Sequence, residues 1–195
     1  GKKLQTFQGH ADKVKSVAVS RDGKHVVTGS WDNTAILWEA ASAKKLRTFK
    51  WHIAAVTSIA MSADSMHLVT GSQDRTAILW HAAGNKKPQT LQHPYWVVGA
   101  ALSGDGKYIV TVSIDLTAIV WEASGAKKLQ TIRGHAGHVE SVAMSDDGKH
   151  FVSGSWDRKA AFLRDAASGE KLQTFQGDRD DIRSLALSGD GKHVV

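Results

Sequence analysis

The sequence predicts an all-β fold built from repeated sheets of four antiparallel strands. Three observations predict it: a repeat near 42 residues, short apolar stretches separated by turn chemistry inside each repeat, and no helical periodicity. The pair Gly9-His10 recurs as Trp51-His52, Gln92-His93, Gly134-His135 and Gly177-Asp178, at steps of 42, 41, 42 and 43 residues. Gly29-Ser30-Trp31-Asp32 returns as Gly71-Ser72-Gln73-Asp74, Val112-Ser113-Ile114-Asp115 and Gly154-Ser155-Trp156-Asp157. Trp38 returns as Trp80 and Trp121, and as Arg164 in the fourth copy.

Each unit carries four candidate strands. The first, Val14-Lys15-Ser16-Val17-Ala18-Val19, alternates small and large side chains. Its small positions recur as Ser58/Ala60, Gly99/Ala101, Ser141/Ala143 and Ser184/Ala186, and its large ones as Ile59/Met61, Ala100/Leu102, Val142/Met144 and Leu185/Leu187. Successive side chains of a strand point to opposite faces, so one face is small and the other bulky in every copy. That suits an inner strand squeezed between neighbouring sheets. An Asp-Gly hairpin signal follows at Arg21-Asp22-Gly23-Lys24, Gly104-Asp105-Gly106-Lys107, Asp146-Asp147-Gly148-Lys149 and Gly189-Asp190-Gly191-Lys192. The second copy, Ala63-Asp64-Ser65-Met66, lacks the glycine, which predicts a less ideal turn. The second strand is Val26-Val27-Thr28 and the third Ala35-Ile36-Leu37-Trp38. The fourth lies around Leu46-Arg47-Thr48-Phe49, with equivalents at Leu4 to Phe7, Pro88 to Leu91, Leu129 to Ile132 and Leu172 to Phe175. It is the most polar strand and belongs at the outer edge, where Pro88 at its beginning is tolerated. A period near 42 residues falls in the range of four-stranded propeller blades.

Composition narrows the function classes. The 195 residues are 42% hydrophobic, which excludes a disordered chain and allows a real core. There are no cysteines, which excludes a disulfide framework, a thiolate zinc site and a cysteine nucleophile, and fits a cytoplasmic setting. Apolar runs are only a few residues long, so no membrane span is expected. The net charge of +6 raises nucleic acid or an anionic surface as partners.

A Gly-His pair, a Ser-x-Asp turn and an aromatic-acidic pair such as Trp38-Glu39, in phase within each unit, resemble the WD40 (WD-repeat) family. The resemblance covers essentially the whole chain, and the closeness of the units is similar to recently duplicated bacterial WD-repeat proteins. It implies a radial β-propeller, commonly of seven blades, that serves as a rigid platform for protein assembly. Partners would bind on the face lined by the Gly-His and Ser-x-Asp loops. The resemblance also implies a hydrogen-bonded network of loop histidine, turn aspartate, strand hydroxyl and third-strand tryptophan. By position, the first blade would use His10, Asp32 and Trp38, with Thr28 or Ser30 as the hydroxyl. The second would use His52, Asp74 and Trp80, the third His93, Asp115 and Trp121, and the fourth His135 and Asp157. Such a network satisfies buried polar groups together. The fourth copy departs from the pattern, with Arg164 for tryptophan and one extra residue between Asp157 and Ala166, and the fifth has Asp178 for histidine. A guanidinium in an indole site is expected to snorkel or to pair with an acid, and to make the fourth blade the least stable.

The same residues could be drawn as serine–histidine–carboxylate triads, but an enzyme needs one activated site, and here the trio repeats beside a tryptophan in each of the first three blades. No catalytic residue, metal site or cofactor site is therefore predicted. The loop histidines lie about 42 residues apart on different blades, and His135 and His138 have no companion carboxylate motif. The pairs Lys2-Lys3, Lys44-Lys45, Lys86-Lys87 and Lys127-Lys128, with Glu170-Lys171, start each outer strand. There lysine discourages edge pairing, and no aromatic interleaving favours nucleic acid.

The non-repeating loop residues are the functional candidates. Where the first blade has Ala11-Asp12-Lys13, the second has Ile53-Ala54-Ala55 and the third Pro94-Tyr95-Trp96. Trp31, Trp51, Ile53, Tyr95, Trp96, Ile114 and Trp156 form the predicted partner-binding set, since interaction hot spots favour exposed aromatic and aliphatic side chains. The repeats divide the chain into residues 1–9 (outer strand of a preceding or closing blade), 10–51, 52–92, 93–134 and 135–177 (blades one to four) and 178–195 (a partial fifth). About four and a half repeats give an incomplete ring, read either as part of a longer propeller or as a unit that self-associates through its open edges. The favoured function is a non-catalytic scaffold or sensor binding other proteins or another domain of the parent chain. The alternative is a propeller that binds a small ligand or nucleic acid.

Overall fold

Alternating side chains and short polar turns fold each repeat into its own antiparallel meander. The computed structural model describes residues 3–84, 86–156, 160–177 and 182–195, and every regular element among them is a strand. The first sheet holds β1 (Val14–Val19), β2 (His25–Ser30), β3 (Thr34–Glu39) and β4 (Lys45–Lys50). The second holds β5 (Val56–Met61), β6 (His67–Ser72), β7 (Thr76–His81) and β8 (Gln89–Gln92). The third holds β9 (Val97–Leu102), β10 (Tyr108–Ser113), β11 (Ala118–Glu122) and β12 (Lys127–Ile132). The fourth holds β13 (Val139–Met144), β14 (His150–Ser155), β15 (Ala160–Asp165) and β16 (Lys171–Gln176). Strand order is sequential in every sheet, with the polar fourth strand at the edge. The sheets are blades of an unclosed propeller. Among the described residues, no helix is long and apolar enough to cross a membrane.

The first strands β1, β5, β9 and β13 pack side by side around the centre. Each is irregular at its second residue, and the bulge turns Lys15, Thr57, Val98 and Glu140 to a central cavity of about 440 Å³. Serine on the small face ties one blade to the next: Ser16 Oγ accepts the Ile59 N–H at 3.1 Å, and Ser58 Oγ the Ala100 N–H at 3.0 Å. Ser141 Oγ accepts the Leu185 N–H at 3.0 Å. Opposite these serines sit Gly29, Gly71 and Gly154 on the second strands. A Cβ at Gly29 would lie 2.7 Å from Val56 Cγ1, and one at Gly71 2.8 Å from Val97 Cγ1, so the missing side chain is what lets the next blade close in.

The turns after the first strands share one device. Ser20 Oγ donates to Asp22 Oδ1 at 2.7 Å, and Asp22 in turn accepts the Lys24 N–H at 3.0 Å. The same pair of bonds forms at Asp64, Asp105, Asp147 and Asp190. Gly23, Gly106, Gly148 and Gly191 take φ near 70°, and Ser65 holds the corresponding position at 60°. The turn thus survives without glycine, at a cost in left-handed backbone strain.

Two details differ from the pattern. Trp38, Trp121 and Arg164 each pair with a lysine at the start of the outer strand, whereas β8 begins only at Gln89 and Trp80 has no such pair. Pro88 has no N–H to give the ladder. Leu4 to Phe7 form no strand, since no third strand lies beside them among the described residues. Phe7 nevertheless meets Trp38 edge-on at 5.7 Å between ring centroids, much as Phe49 of the first blade meets Trp80 of the second at 5.0 Å.

Candidate functional site

The loops before each first strand and the turns between second and third strands lie at the same end of every blade, which we call the upper face. Backbone bonds join them: Trp31 N–H donates to Lys13 O at 3.0 Å, Gln73 to Ala55 at 3.0 Å, Ile114 to Trp96 at 3.1 Å and Trp156 to His138 at 3.0 Å. Loop variation in one element is thereby set beside variation in the other.

Beneath this surface the first two blades carry the same buried chain of hydrogen bonds. Trp38 Nε1 donates to Thr28 Oγ1 at 2.8 Å, Thr28 Oγ1 lies 2.7 Å from His10 Nε2, and His10 Nδ1 lies 2.8 Å from Asp32 Oδ2. An ionised carboxylate only accepts, so His10 donates from Nδ1 and receives the threonine proton at Nε2. Burial raises the pKa of Asp32, but bonds from Thr34, the Ala11 N–H and His10 outweigh it and hold the group at about 2. In the second blade the chain runs Trp80, Thr70, His52, Asp74, at 2.9, 2.7 and 2.7 Å. Burial again opposes ionisation of Asp74, and bonds from His52 and Thr76 overcome it, again to about 2. Ser30, the alternative hydroxyl, is engaged elsewhere: it donates to Asp12 O at 3.1 Å and accepts the Asp32 N–H.

Thr34, Thr76 and Thr117 were not among the sequence candidates. Each hydroxyl donates to the aspartate two residues earlier at 2.6 Å and fixes its carboxylate. The signal available in the sequence was the Asp-x-Thr spacing of the first three copies, interrupted in the fourth.

The third blade departs from the expected network. Trp121 Nε1 donates to Thr111 Oγ1 at 2.7 Å, and Thr111 Oγ1 meets His93 Nε2 at 2.8 Å, but His93 Nδ1 is buried with no hydrogen-bond partner, so no bond to Asp115 forms. The reason is local. In the first two blades the residue after the histidine, Ala11 or Ile53, gives its N–H to the aspartate Oδ2 at 2.9 or 3.1 Å. The third blade has Pro94 there, which has no N–H to hold the carboxylate in place. Burial, with only partial compensation from Asp115, lowers the His93 pKa to about 4.

In the fourth blade Asp157 lies outside the described residues, and His135 Nε2 is 2.8 Å from Ser153 Oγ. Arg164 neither snorkels nor pairs with an acid among the described residues. It is buried, donates to the carbonyls of Gly169 at 3.1 Å and Arg133 at 3.5 Å, and lies 5.3 Å from the Phe162 ring centroid. Burial lowers its pKa. Phe162, at the position of Ile36, Ile78 and Ile119, stacks on His135 at 4.3 Å and 16°. Phenylalanine and arginine together therefore occupy the space that isoleucine and tryptophan fill elsewhere.

Of the predicted partner-binding residues, Trp31, Trp51, Ile53, Tyr95, Trp96 and Trp156 are exposed, from 43% for Trp31 to 85% for Ile53, while Ile114 is half-buried. Lys13 Nζ sits 4.9 Å over Trp31, and His138 meets Trp156 edge-on at 5.6 Å. Trp31 and Gln73 border the central cavity, whereas Trp51, Ile53 and Pro94 border a separate groove with Asp74 and Arg75.

The family model for the WD domain, G-beta repeat, matches residues 1–39, 43–81, 85–122 and 126–161, most of the chain. The chain belongs to the WD-repeat family. The first three matched segments run through Trp38, Trp80 and Trp121, and the fourth stops before Arg164, where the pattern departs. A stretch of 39 residues is 44% identical to the small ribosomal subunit protein RACK1 of Dictyostelium discoideum; it makes up 20% of this chain and 12% of that protein. The chain thus spans a small part of the relative it matches.

Proposed function

We propose that the chain is a non-catalytic interaction platform that grips protein partners with the non-repeating side chains of its upper face. The carrying observation is the exposure of Trp31, Trp51, Ile53, Tyr95, Trp96 and Trp156 on loops whose repeated residues are committed to holding the blades. Large aromatic side chains left in water at one face are what a binding partner would desolvate. The hydroxyl–imidazole–carboxylate chains speak against catalysis. In the first two blades the threonine oxygen already accepts an indole N–H, and the group is buried rather than open to a substrate. Membership of the WD-repeat family and the likeness to a ribosomal-subunit protein support a protein partner. The close similarity of the four units further supports their origin by recent duplication.

Site-specific photo-cross-linking tests the reading. A photoreactive residue at position 31 or 96 should capture a protein that one at outer-strand position 129 does not. Equal capture at all three positions, or none at the upper face, would count against it.

A further inference from the structure

We propose, resting on the interaction platform inferred above, that Asp115 is a polar contact for the partner. Its open carboxylate oxygen takes a main-chain N–H from an extended segment of the protein that covers Tyr95 and Trp96.

The neighbouring repeats show what this carboxylate lacks. In the first two blades the aspartate Oδ2 takes two bonds, one from the loop histidine Nδ1 and one from the next N–H. His10 and Ala11 supply them to Asp32, and His52 and Ile53 to Asp74. Asp115 keeps only the other half of the pattern, in which Oδ1 accepts the Thr117 N–H at 3.1 Å and the Thr117 hydroxyl at 2.6 Å. Its Oδ2 accepts no hydrogen bond and enters no ion pair among the described residues. The side chain is not sealed away: Asp115 is half-buried and borders a groove of about 540 Å³ with Pro94, Thr131 and Arg133.

The change that unties the carboxylate also sets two aromatic rings close by. Tyr95 and Trp96 follow Pro94 directly and are both exposed. Trp96 O accepts the Ile114 N–H at 3.1 Å, which holds the aromatic loop against the turn that carries Asp115. A partner that takes water from the rings takes it from the adjoining carboxylate as well. An ionised oxygen covered without a donor opposes binding, so the partner has to bring a donor. Lys128 and Arg133 already border the groove, and a third cation there would be repelled by both. A neutral donor fits better, and the one this blade lacks is a main-chain N–H. An extended segment presents such groups along its edge while its side chains meet the rings.

The test pans the full chain against short linear peptides displayed on phage and measures the selected peptides by titration calorimetry. Asp115→Asn keeps an acceptor for Thr117 but turns an amide donor towards the groove, and should weaken binding about tenfold or more. Pro94→Ala gives Asp115 an N–H of its own. It should weaken binding severalfold with both rings in place, and it carries the test if Asp115→Asn fails to fold. N-methylation along the peptide should find one amide whose loss weakens binding to the unaltered chain but not to Asp115→Asn. Loss of binding in Tyr95→Ala with none in Asp115→Asn or Pro94→Ala would overturn this inference and leave the platform standing. Coupling of Asp115 to a lysine or arginine side chain of the peptide, with no amide involved, would overturn it too. Failure to select any peptide, or peptides indifferent to all three variants, would overturn both.

Discussion

Val112 stands directly opposite Gly99 across β10 and β9, where each other blade pairs a glycine on the second strand with a serine on the first. The small and large partners have exchanged strands. A Cβ at position 99 would lie 2.6 Å from Val112 Cγ2, so the two positions are filled jointly. Gly99→Ser alone should destabilise the chain by about 1–3 kcal/mol through overpacking. Gly99→Ser with Val112→Gly should recover much of that loss, since the hydroxyl can then take the Val142 N–H as Ser58 takes that of Ala100. Chemical denaturation of both single variants and the double measures the coupling; additive effects would refute it.

Pro94 is the cause assigned to the broken network in the third blade. Pro94→Ala should return an N–H to Asp115, bring the carboxylate to His93 Nδ1, and raise the His93 pKa from about 4. Each recovered bond contributes about 0.5–1.5 kcal/mol, against about 0.4–1 kcal/mol lost from freeing the unfolded chain. Histidine nitrogen shifts followed against pH report the change, and an unmoved His93 would reject the assigned cause.

Acid should weaken the fold in two steps. His93 has a folded pKa of about 4 against a reference of 6.5, so below 6.5 the unfolded chain takes up a proton that the folded one refuses. Stability from this group is complete above that value and falls as pH drops towards 4. Asp32 and Asp74, at about 2 against 3.8, contribute stability above 3.8 that is lost as pH falls towards 2. Thermal midpoints across this range should show both declines, and His93→Gln should shrink the upper one, leaving the part due to His67, whose pKa burial also lowers. A wild-type midpoint flat between the His93 values would contradict this account.

The fourth blade predicts non-additivity. Side chains 162 and 164 share a face of β15, so Arg164→Trp alone would set an indole beside the larger Phe162 ring and gain little or lose. Arg164→Trp with Phe162→Ile should be more stable than either single change, by about 1 kcal/mol of coupling or more. Calorimetric melting of the three variants decides this, and a full gain from Arg164→Trp alone would show that Phe162 plays no compensating part.

Ser65, at a φ of 60°, offers the simplest gain. Ser65→Gly should stabilise by relieving left-handed strain of about 1 kcal/mol, less the added freedom of the unfolded glycine. Denaturant midpoints check it; a drop would mean that the serine makes up for its strain in another way.

The blade architecture was legible because its signals are short and repeated: Asp-Gly turns, alternating strands and the returning tryptophan. What stayed hidden depends on two positions at once. The roles of Thr34, Thr76 and Thr117 follow from an Asp-x-Thr spacing, but only the fold shows the hydroxyl closing on the carboxylate. Pro94 was plainly visible in the sequence, yet its effect needs the knowledge that Ala11 and Ile53 donate an N–H at that point. The Arg164 substitution was visible too, while its compensation by Phe162 was not, because position 162 is apolar in every copy and carries no alarm of its own.

The central claim is a division of labour: repeated residues hold the blades, and unrepeated ones on the upper face bind. Alanine substitution of Tyr95 and Trp96 together, set beside His52→Ala, tests it most directly, with melting temperature and partner affinity measured on the same samples. The account predicts that the Tyr95/Trp96 variant melts like the unaltered chain and loses at least about tenfold in affinity, while His52→Ala loses about 1–3 kcal/mol of stability. Unfolding of the Tyr95/Trp96 variant, or unchanged partner affinity in it, would contradict the account.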